Sequence, residues 1–364
     1  TDNRRQRQMC IRDRSPSVKD KLKIAELLDN LGVSFVEGGW PGASPKEEEF
    51  FKKAKSQLKL NNAKLVSFGS TRKLNLSADK DPQVKALLDA ETEYVCIVGK
   101  SSKLHINKAI QATIDQAIEM AVDTINFLVQ NKKKVFFDAE HFFDGYKEDS
   151  TTSLKILDAV ISTKVEKFVF CDTNGGTLPS EVYEIISGIT LKYPKEKFGV
   201  HFQNDNGCAV ANSMVAVDLG VSHVQGTING YGERTGNADL CTLIPNLTLK
   251  KGYETIPEQS IGQLTQTANH IAELVNVAID SRHPYVGSSA FTHKAGLHAS
   301  GMAKDSSLYE HIDSAAVGNF TRTTVSELAG RASVLTKAEE FGLKFDNNDA
   351  KKLIEEVQLS LIHI

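Results

Sequence analysis

KFGVHFQNDNGCAVANSMVAVDLGVSHVQGTINGYGERTGNADL, residues 197–240, contains two apolar runs that each end in a dense polar cluster. Phe198-Gly199-Val200 leads into His201-Phe202-Gln203-Asn204-Asp205. His223 to Ile228 leads into Asn229-Gly230-Tyr231-Gly232-Glu233-Arg234, and then Thr235-Gly236-Asn237-Ala238. Closed and open α/β folds place their chemistry at such carboxyl ends of strands. Side chains along a strand alternate with period two, so His201 and Gln203 share a face and can offer a metal two ligands side by side.

The same unit recurs outward from this stretch. Strands are expected over residues 34–39, 64–69, 93–99, 133–140, 167–174, 197–205 and 222–229. Helices are expected over 46–57, 82–90, about 107–130, from about 150, and from near Pro179, where a first-turn proline fits. Ser17-Val18-Lys19-Asp20 reads as a capping box, and Val18, Leu22, Ala25, Leu28 and Leu31 form a helical stripe. Seven βα repeats behind one helix imply a parallel sheet with right-handed crossovers. The expectation is a (β/α)8 TIM barrel whose first strand should precede Val18.

Residues 1–14 do not read as a normal first strand: they are rich in Arg and Gln, with only Met9-Cys10-Ile11 apolar. Residues 9–14 and 360–364 resemble translated sequencing-adapter sequence. We therefore expect a non-native leader (1–14) and tail (360–364) on a natural protein longer at both ends. Between them we expect a catalytic barrel (15–252) and a truncated helical linker and subdomain (253–359), with helices near 261–280, 325–329, 333–341 and 349–359.

Of the 364 residues, 40% are apolar and 24% charged, with a net charge of −3, so nothing suggests nucleic acid or a membrane surface as a partner. No apolar run reaches the length of a membrane span, and the N-terminal residues lack a signal-peptide core. Five scattered cysteines without a CxxC pair read as reduced thiols in a cytoplasmic protein.

Several clusters can carry chemistry. His201, Gln203 and Asn237 form the metal hypothesis, because imidazole suits many divalent ions and amide oxygens suit harder ones such as Mg²⁺ and Mn²⁺. Taken alone, His201 reads more readily as a hydrogen-bonded core histidine than as a ligand; the convergence of several strand ends reverses that order. Asp138 and Glu140 end another strand two residues apart and should point inward together; Glu140 suits proton transfer, or holding an arginine. Thr173, in Asp172-Thr173-Asn174-Gly175-Gly176, suits a substrate carboxylate, although Asn-Gly pairs also make plain turns. Arg72 is a candidate anion binder, and Lys100 and His105 follow the 93–99 strand. Outside the barrel, His298 in His293-Lys294-Ala295-Gly296-Leu297-His298-Ala299-Ser300-Gly301 and Tyr309 suit an acid/base pair acting on a carbonyl substrate. A polar capping loop would look the same.

Taken together, EGGWPG (37–42), FGSTR (68–72), DAEHFFDGY (138–146), DTNGG (172–176), NGYGERTGNADL (229–240) and HKAGLHASG (293–301) resemble the citramalate synthases in order and register. These belong with the 2-isopropylmalate synthases, homocitrate synthases and hydroxymethylglutaryl-CoA lyases. The resemblance covers residues 15 to 359, and EGGWPG and AEHFFDGY favour the citramalate branch. It implies a metal-dependent Claisen condensation of acetyl-CoA with pyruvate, giving (R)-citramalate and CoA in isoleucine biosynthesis. By resemblance His201 and Asn237 ligate the metal (Mn²⁺ or Mg²⁺, with Zn²⁺ the other candidate). Glu140 and Thr173 shape the 2-oxoacid site. His298 and Tyr309 reach over from the partner subunit of a homodimer, and coenzyme A lies across the barrel mouth.

Two departures stand out. The family reads His-x-His-Asn-Asp where this chain has Gln203 in place of the second histidine, so weaker metal binding shifted toward Mg²⁺ or Mn²⁺ is expected. The family's first strand ends in Arg-Asp-Gly, whereas Arg12-Asp13 is followed here by Arg14, and the roles are not carried over. The family's C-terminal regulatory domain is expected to lie outside this sequence. Three alternatives stay open: 2-isopropylmalate synthase acting on 2-oxoisovalerate, a lyase running the reverse cleavage, and an impaired barrel that binds acyl-CoA or an oxoacid without turnover.

Overall fold

The computed structural model describes residues 16–293, 298, 301–302, 304–323, 334–335, 338–339 and 341–362. Seven strands, β1 (Phe35–Glu37), β2 (Lys64–Ser70), β3 (Tyr94–Lys100), β4 (Lys134–Glu140), β5 (Lys167–Asp172), β6 (Phe198–Phe202) and β7 (His223–Gln225), form one sheet in chain order. Every pairing is parallel, with His201 opposite Gln225 and Val98 opposite Asp138. Although β1 and β7 are the outermost strands, the rings of Phe35 and His223 lie 5.7 Å apart inside the sheet. The sheet therefore curls most of the way into a barrel. The eighth strand expected before Val18 falls on residues outside those described.

Helices separate the strands as the βα pattern predicts: α1 (Val18–Leu31), α2 (Pro45–Gln57), α3 (Pro82–Asp89), α4 (Lys103–Lys108), α5 (Ile114–Gln130), α6 (Phe142–Ile161), α7 (Pro179–Thr190), α8 (Ala209–Asp218) and α9 (Leu240–Pro245). The Ser17 box is present: its hydroxyl accepts the Asp20 amide, and the Asp20 carboxylate accepts the Ser17 amide at 2.9 Å. The single helix expected over 107–130 is two, α4 and α5. Gln111 takes a left-handed backbone, and Thr113 with Gln116 makes a second capping box that starts α5 afresh. The helix expected from about residue 150 begins earlier, at Phe142, and is kinked at Asp149.

Sequence explains the packing on both faces of the sheet. Phe137, Phe168, Phe170, Phe198 and Phe202 face the helices and are fully buried, each contributing roughly 1.5–3 kcal/mol on burial. Inside, Phe35, Tyr94, Phe136 and His223 close the amino end, with Phe35 and Phe136 centroids 5.1 Å apart and Phe136 and His223 4.9 Å apart. Burial first, and the charge of Lys167 second, lower the His223 pKa to about 4. This aromatic floor leaves polar chemistry to the other end.

After the barrel, a 3-10 turn (Glu258–Gln263) leads into α10 (Leu264–Val275), shorter than the helix expected over 261–280 because Asn276 turns left-handed. One apolar cluster joins Leu31 of α1, Ile228 and Ile244 to Leu264 and Ile271 of α10. Beyond it, β8 (Thr292–His293) pairs in parallel with β9 (Arg322–Thr323), and α11 spans Asn347–Ile362. The helix expected over 325–329 lies outside the described residues. Among the described residues, no helix is long and apolar enough to cross a membrane.

Candidate active site at the barrel mouth

The carboxyl ends of β4 to β7 and the loops after them build one polar cluster. His201 ends the inward row of β6, and its Nδ1 lies 2.8 Å from Oε1 of Gln225 on β7. The other end of the Gln225 amide, Nε2, donates to Oδ1 of Asp138 on β4 at 2.9 Å. Asp138 is buried; burial raises its pKa, against lowering contributions from His201, Cys96 and Gln225. On β1, Glu37 is also held above the ordinary carboxylate range, by burial first and by the charge of Asp138 second. The Glu37 residue nevertheless remains exposed to solvent, unlike Asp138.

Asn237 is brought beside Gln203 by backbone pairing, since the two residues form an antiparallel bridge. The Asn204 amide donates to Gly236 at 2.8 Å, and the Ala238 amide to Phe202 at 3.0 Å. A side chain at Gly236, whose φ is +89°, would strike the Gly230 carbonyl, so only glycine allows this approach. Asn237 Nδ2 donates to the Tyr231 carbonyl at 2.9 Å. That fixes which end of the amide points away.

Two buried acceptors here have no hydrogen-bond partner: Oε1 of Gln203 and Oδ1 of Asn237. Unpaired buried oxygens are costly unless something absent from the protein atoms alone engages them. Neutral amide oxygens beside an imidazole fit a divalent cation of the Mg²⁺ or Mn²⁺ type. Among the described residues, no group of three or more His, Cys, Asp or Glu is arranged to hold an ion. The candidate donor set is therefore His201 with the two amide oxygens; Arg12-Asp13, to which the sequence reading carried over no role, lies outside the described residues.

The other expected site residues distribute as follows. Glu140 stands at the mouth in an ion pair with Lys100, both partly exposed. Thr173 Oγ1 accepts the His141 amide at 2.8 Å, leaving its own hydroxyl proton free to donate. His105 stacks on His141, ring centroids 3.6 Å apart and nearly parallel at 10°. Burial first, then the neighbouring His141, lower its pKa. The same cluster therefore includes His105, beside Glu140 and Thr173.

Arg72 is not brought to the mouth. Its guanidinium is buried and directed at the carbonyls of Lys73, Leu74 and Leu76, at Glu119 (2.9 Å) and at Asp123 (2.5 Å). With its donors directed at the protein, it holds the loop after β2, and its expected role as anion binder is withdrawn. His298 and Tyr309 do meet: their rings stack at 4.3 Å, both side chains exposed on the segment after the barrel. Gly301 permits the stack, because a side chain there would run into the Tyr309 ring. The residues that sequence reasoning missed are Gln225, which links Asp138 to His201, and Arg234, which grips Asp205.

Comparison with known proteins adds the following. Residues 10–271 match the HMGL-like family, and residues 285–360 match the homocitrate synthase post-HMGL domain-like family. An (R)-citramalate synthase of Aquifex aeolicus is 47% identical over 344 residues, covering 94% of this chain and 65% of that protein. One from Geobacter sulfurreducens is 44% identical over 332 residues, covering 91% and 62%. The chain thus spans less than two thirds of the length of these curated relatives. A 2-isopropylmalate synthase of Pyrococcus furiosus is 28% identical over 351 residues, covering 93% and 67%. Among solved structures, an HMG-CoA lyase of Bacillus subtilis superposes with a TM-score of 0.63 at 16% identity, covering 75% of this chain and 92% of the lyase. At that identity the likeness speaks for the fold alone, a TIM barrel. Another HMG-CoA lyase, crystallised with coenzyme A and 3-methylmalate, superposes with a TM-score of 0.61 at 16% identity, covering 76% and 88%.

Proposed function

The chain belongs to the HMGL-like family, and from that premise we propose that it condenses acetyl-CoA with pyruvate, giving (R)-citramalate and CoA. The observation that carries the proposal is the meeting of His201 with two unpartnered amide oxygens, Gln203 Oε1 and Asn237 Oδ1, at one barrel mouth. The choice of pyruvate rests on the 47% identity to a citramalate synthase against 28% to a 2-isopropylmalate synthase.

The chemical difficulty is to remove a proton from the acetyl methyl while making the ketone of the oxoacid electrophilic. A divalent cation held by His201, Gln203 and Asn237 would polarise that ketone and stabilise the alkoxide. The chain's own residues do the rest. The Thr173 hydroxyl donates a hydrogen bond to the pyruvate carboxylate. Glu140, paired with Lys100, borders the same pocket without a net charge that would repel the oxoacid. His298 and Tyr309, from the partner of a homodimer, accept the methyl proton and return one to the developing alcohol. The new carbon–carbon bond joins the methyl carbon to the ketone carbon, and water then cleaves the thioester, releasing CoA. We place this reaction in the cytoplasm, in isoleucine biosynthesis.

Thiol release from acetyl-CoA in the presence of Mn²⁺ tests the reading, with pyruvate compared against 2-oxoisovalerate. Release with pyruvate in clear preference is expected. Preference for 2-oxoisovalerate would make the chain a 2-isopropylmalate synthase. Binding of both substrates without thiol release would make it a barrel that does not turn over.

A further inference from the structure

Gln225 sits between two groups that its amide can serve in only one orientation. Its side chain crosses the barrel lumen from β7 to reach Asp138 on β4, and it touches His201 on β6 on the way. A carboxylate only accepts hydrogen bonds, so the nitrogen end of the amide belongs at Asp138 and the oxygen end at His201. The Nε2 position 2.9 Å from Asp138 Oδ1 agrees with this. An amide oxygen 2.8 Å from the ring can only accept, so Nδ1 of His201 carries the proton. In a neutral ring the lone pair is then left on Nε2.

We propose that Gln225 is a positioning residue: held by Asp138, its amide fixes the proton of His201 on Nδ1 and so leaves Nε2 as the donor atom toward a bound cation. The proposal rests on the reading of His201 as an ion ligand. It adds the device that prepares that ligand before any ion arrives. A ligating imidazole is oriented by the partner of its other nitrogen, and losing such a partner weakens metal binding by roughly 10- to 100-fold. Here the partner is an amide relay and not a carboxylate touching the ring. Asp138 thereby sets the tautomer without bonding to the ring directly. The relay also ties β4, β6 and β7 together across the lumen, so orientation of the ligand is coupled to closure of the sheet.

The test is nitrogen-15 NMR of the metal-free full chain, labelled at histidine and read at alkaline pH, where the ring is neutral. The His201 signals are assigned by their loss in His201→Asn. The expected spectrum has a protonated, pyrrole-type Nδ1 and a bare, pyridine-type Nε2. Gln225→Leu should lose this fixed tautomer and raise the Mn²⁺ Kd by roughly 10- to 100-fold. A wild-type ring protonated on Nε2 would overturn the proposal without any variant having to fold. So would a Gln225→Leu protein that keeps the proton on Nδ1. A wild-type ring protonated on Nδ1 in a chain that binds no Mn²⁺ would uphold the relay and overturn the ion reading alone.

Discussion

Arg234 grips Asp205 with two parallel hydrogen bonds, Nε to Oδ1 at 2.8 Å and Nη2 to Oδ2 at 2.9 Å. The same Nη2 donates to the Thr173 carbonyl at 2.8 Å. One guanidinium thus ties together the loops after β5, β6 and β7. Gln203 and Asn237, the two residues with unpartnered amide oxygens, lie close in sequence to the two ends of this clamp. Arg234→Lys keeps the charge but loses the fork geometry. We predict that Mn²⁺ affinity, measured by calorimetry, falls about tenfold, in line with the cost of losing an outer partner of a metal site. The thermal midpoint should barely move, because exposed ion pairs contribute little to stability. Unchanged affinity would mean that the loops hold their ligands without the clamp.

The stacked rings of His298 and Tyr309 lie on the segment after the barrel. If they handle the acetyl methyl proton, His298→Asn and Tyr309→Phe should each lower kcat by about 10²-fold, the low end for a lost acid or base. KM for pyruvate should stay within a small factor. Gly301→Ala displaces the Tyr309 ring and should copy the Tyr309→Phe defect. Steady-state thiol release separates kcat from KM. A large rise in KM with kcat intact would reassign the pair to binding.

His223 makes stability depend on pH. Its folded pKa, about 4, lies below its ordinary value of 6.5. The unfolded chain therefore binds more protons between those values, and stability must fall as pH drops through that window. Linkage puts the loss between pH 7 and pH 5 at about 2 kcal/mol for this group. His223→Phe, which suits a floor already made of Phe35, Tyr94 and Phe136, should remove that part of the loss. Urea denaturation of both proteins at the two pH values measures it. Identical pH slopes would show that His223 titrates normally in the folded protein.

What the chain discloses before folding follows from periodicity and local chemistry. Runs such as Val135-Phe136-Phe137 and Phe168-Val169-Phe170 are apolar throughout because a barrel strand is buried on both faces, so the strands were legible. The break between α4 and α5 was also written, as Thr113-x-x-Gln116, but the apolar stripe on either side concealed it. At the site, period two placed His201, Gln203, Asp138 and Glu140 inward. The Asp138–Gln225–His201 relay was not legible: it depends on the register of β7 against β6 and on curvature across the lumen, neither of which is local. Arg72 failed for the same reason. A lone arginine after a strand reads as an anion binder until α5 is seen to supply Glu119 and Asp123 as its partners.

That placement of Arg72 makes a separable prediction. Arg72→Met would remove the buried guanidinium that holds the carbonyls of Lys73, Leu74 and Leu76 in the partly exposed loop after β2. A loss of about 2 kcal/mol is expected, the cost of leaving such groups unpaired. KM for pyruvate, measured below the lowered melting temperature, should not change. A stable protein with a greatly raised KM would restore Arg72 to the substrate site.

The most direct test of the site is a Mn²⁺ and Zn²⁺ titration of the wild-type chain beside Gln203→His. If the Gln203 oxygen is a ligand, exchanging it for an imidazole should tighten binding of both ions, by roughly tenfold or more for Zn²⁺, the ion that favours nitrogen donors. Equal affinities in the two proteins would remove Gln203 from the ion's surroundings, and the absence of binding in both would overturn the reading of the barrel mouth as a metal site.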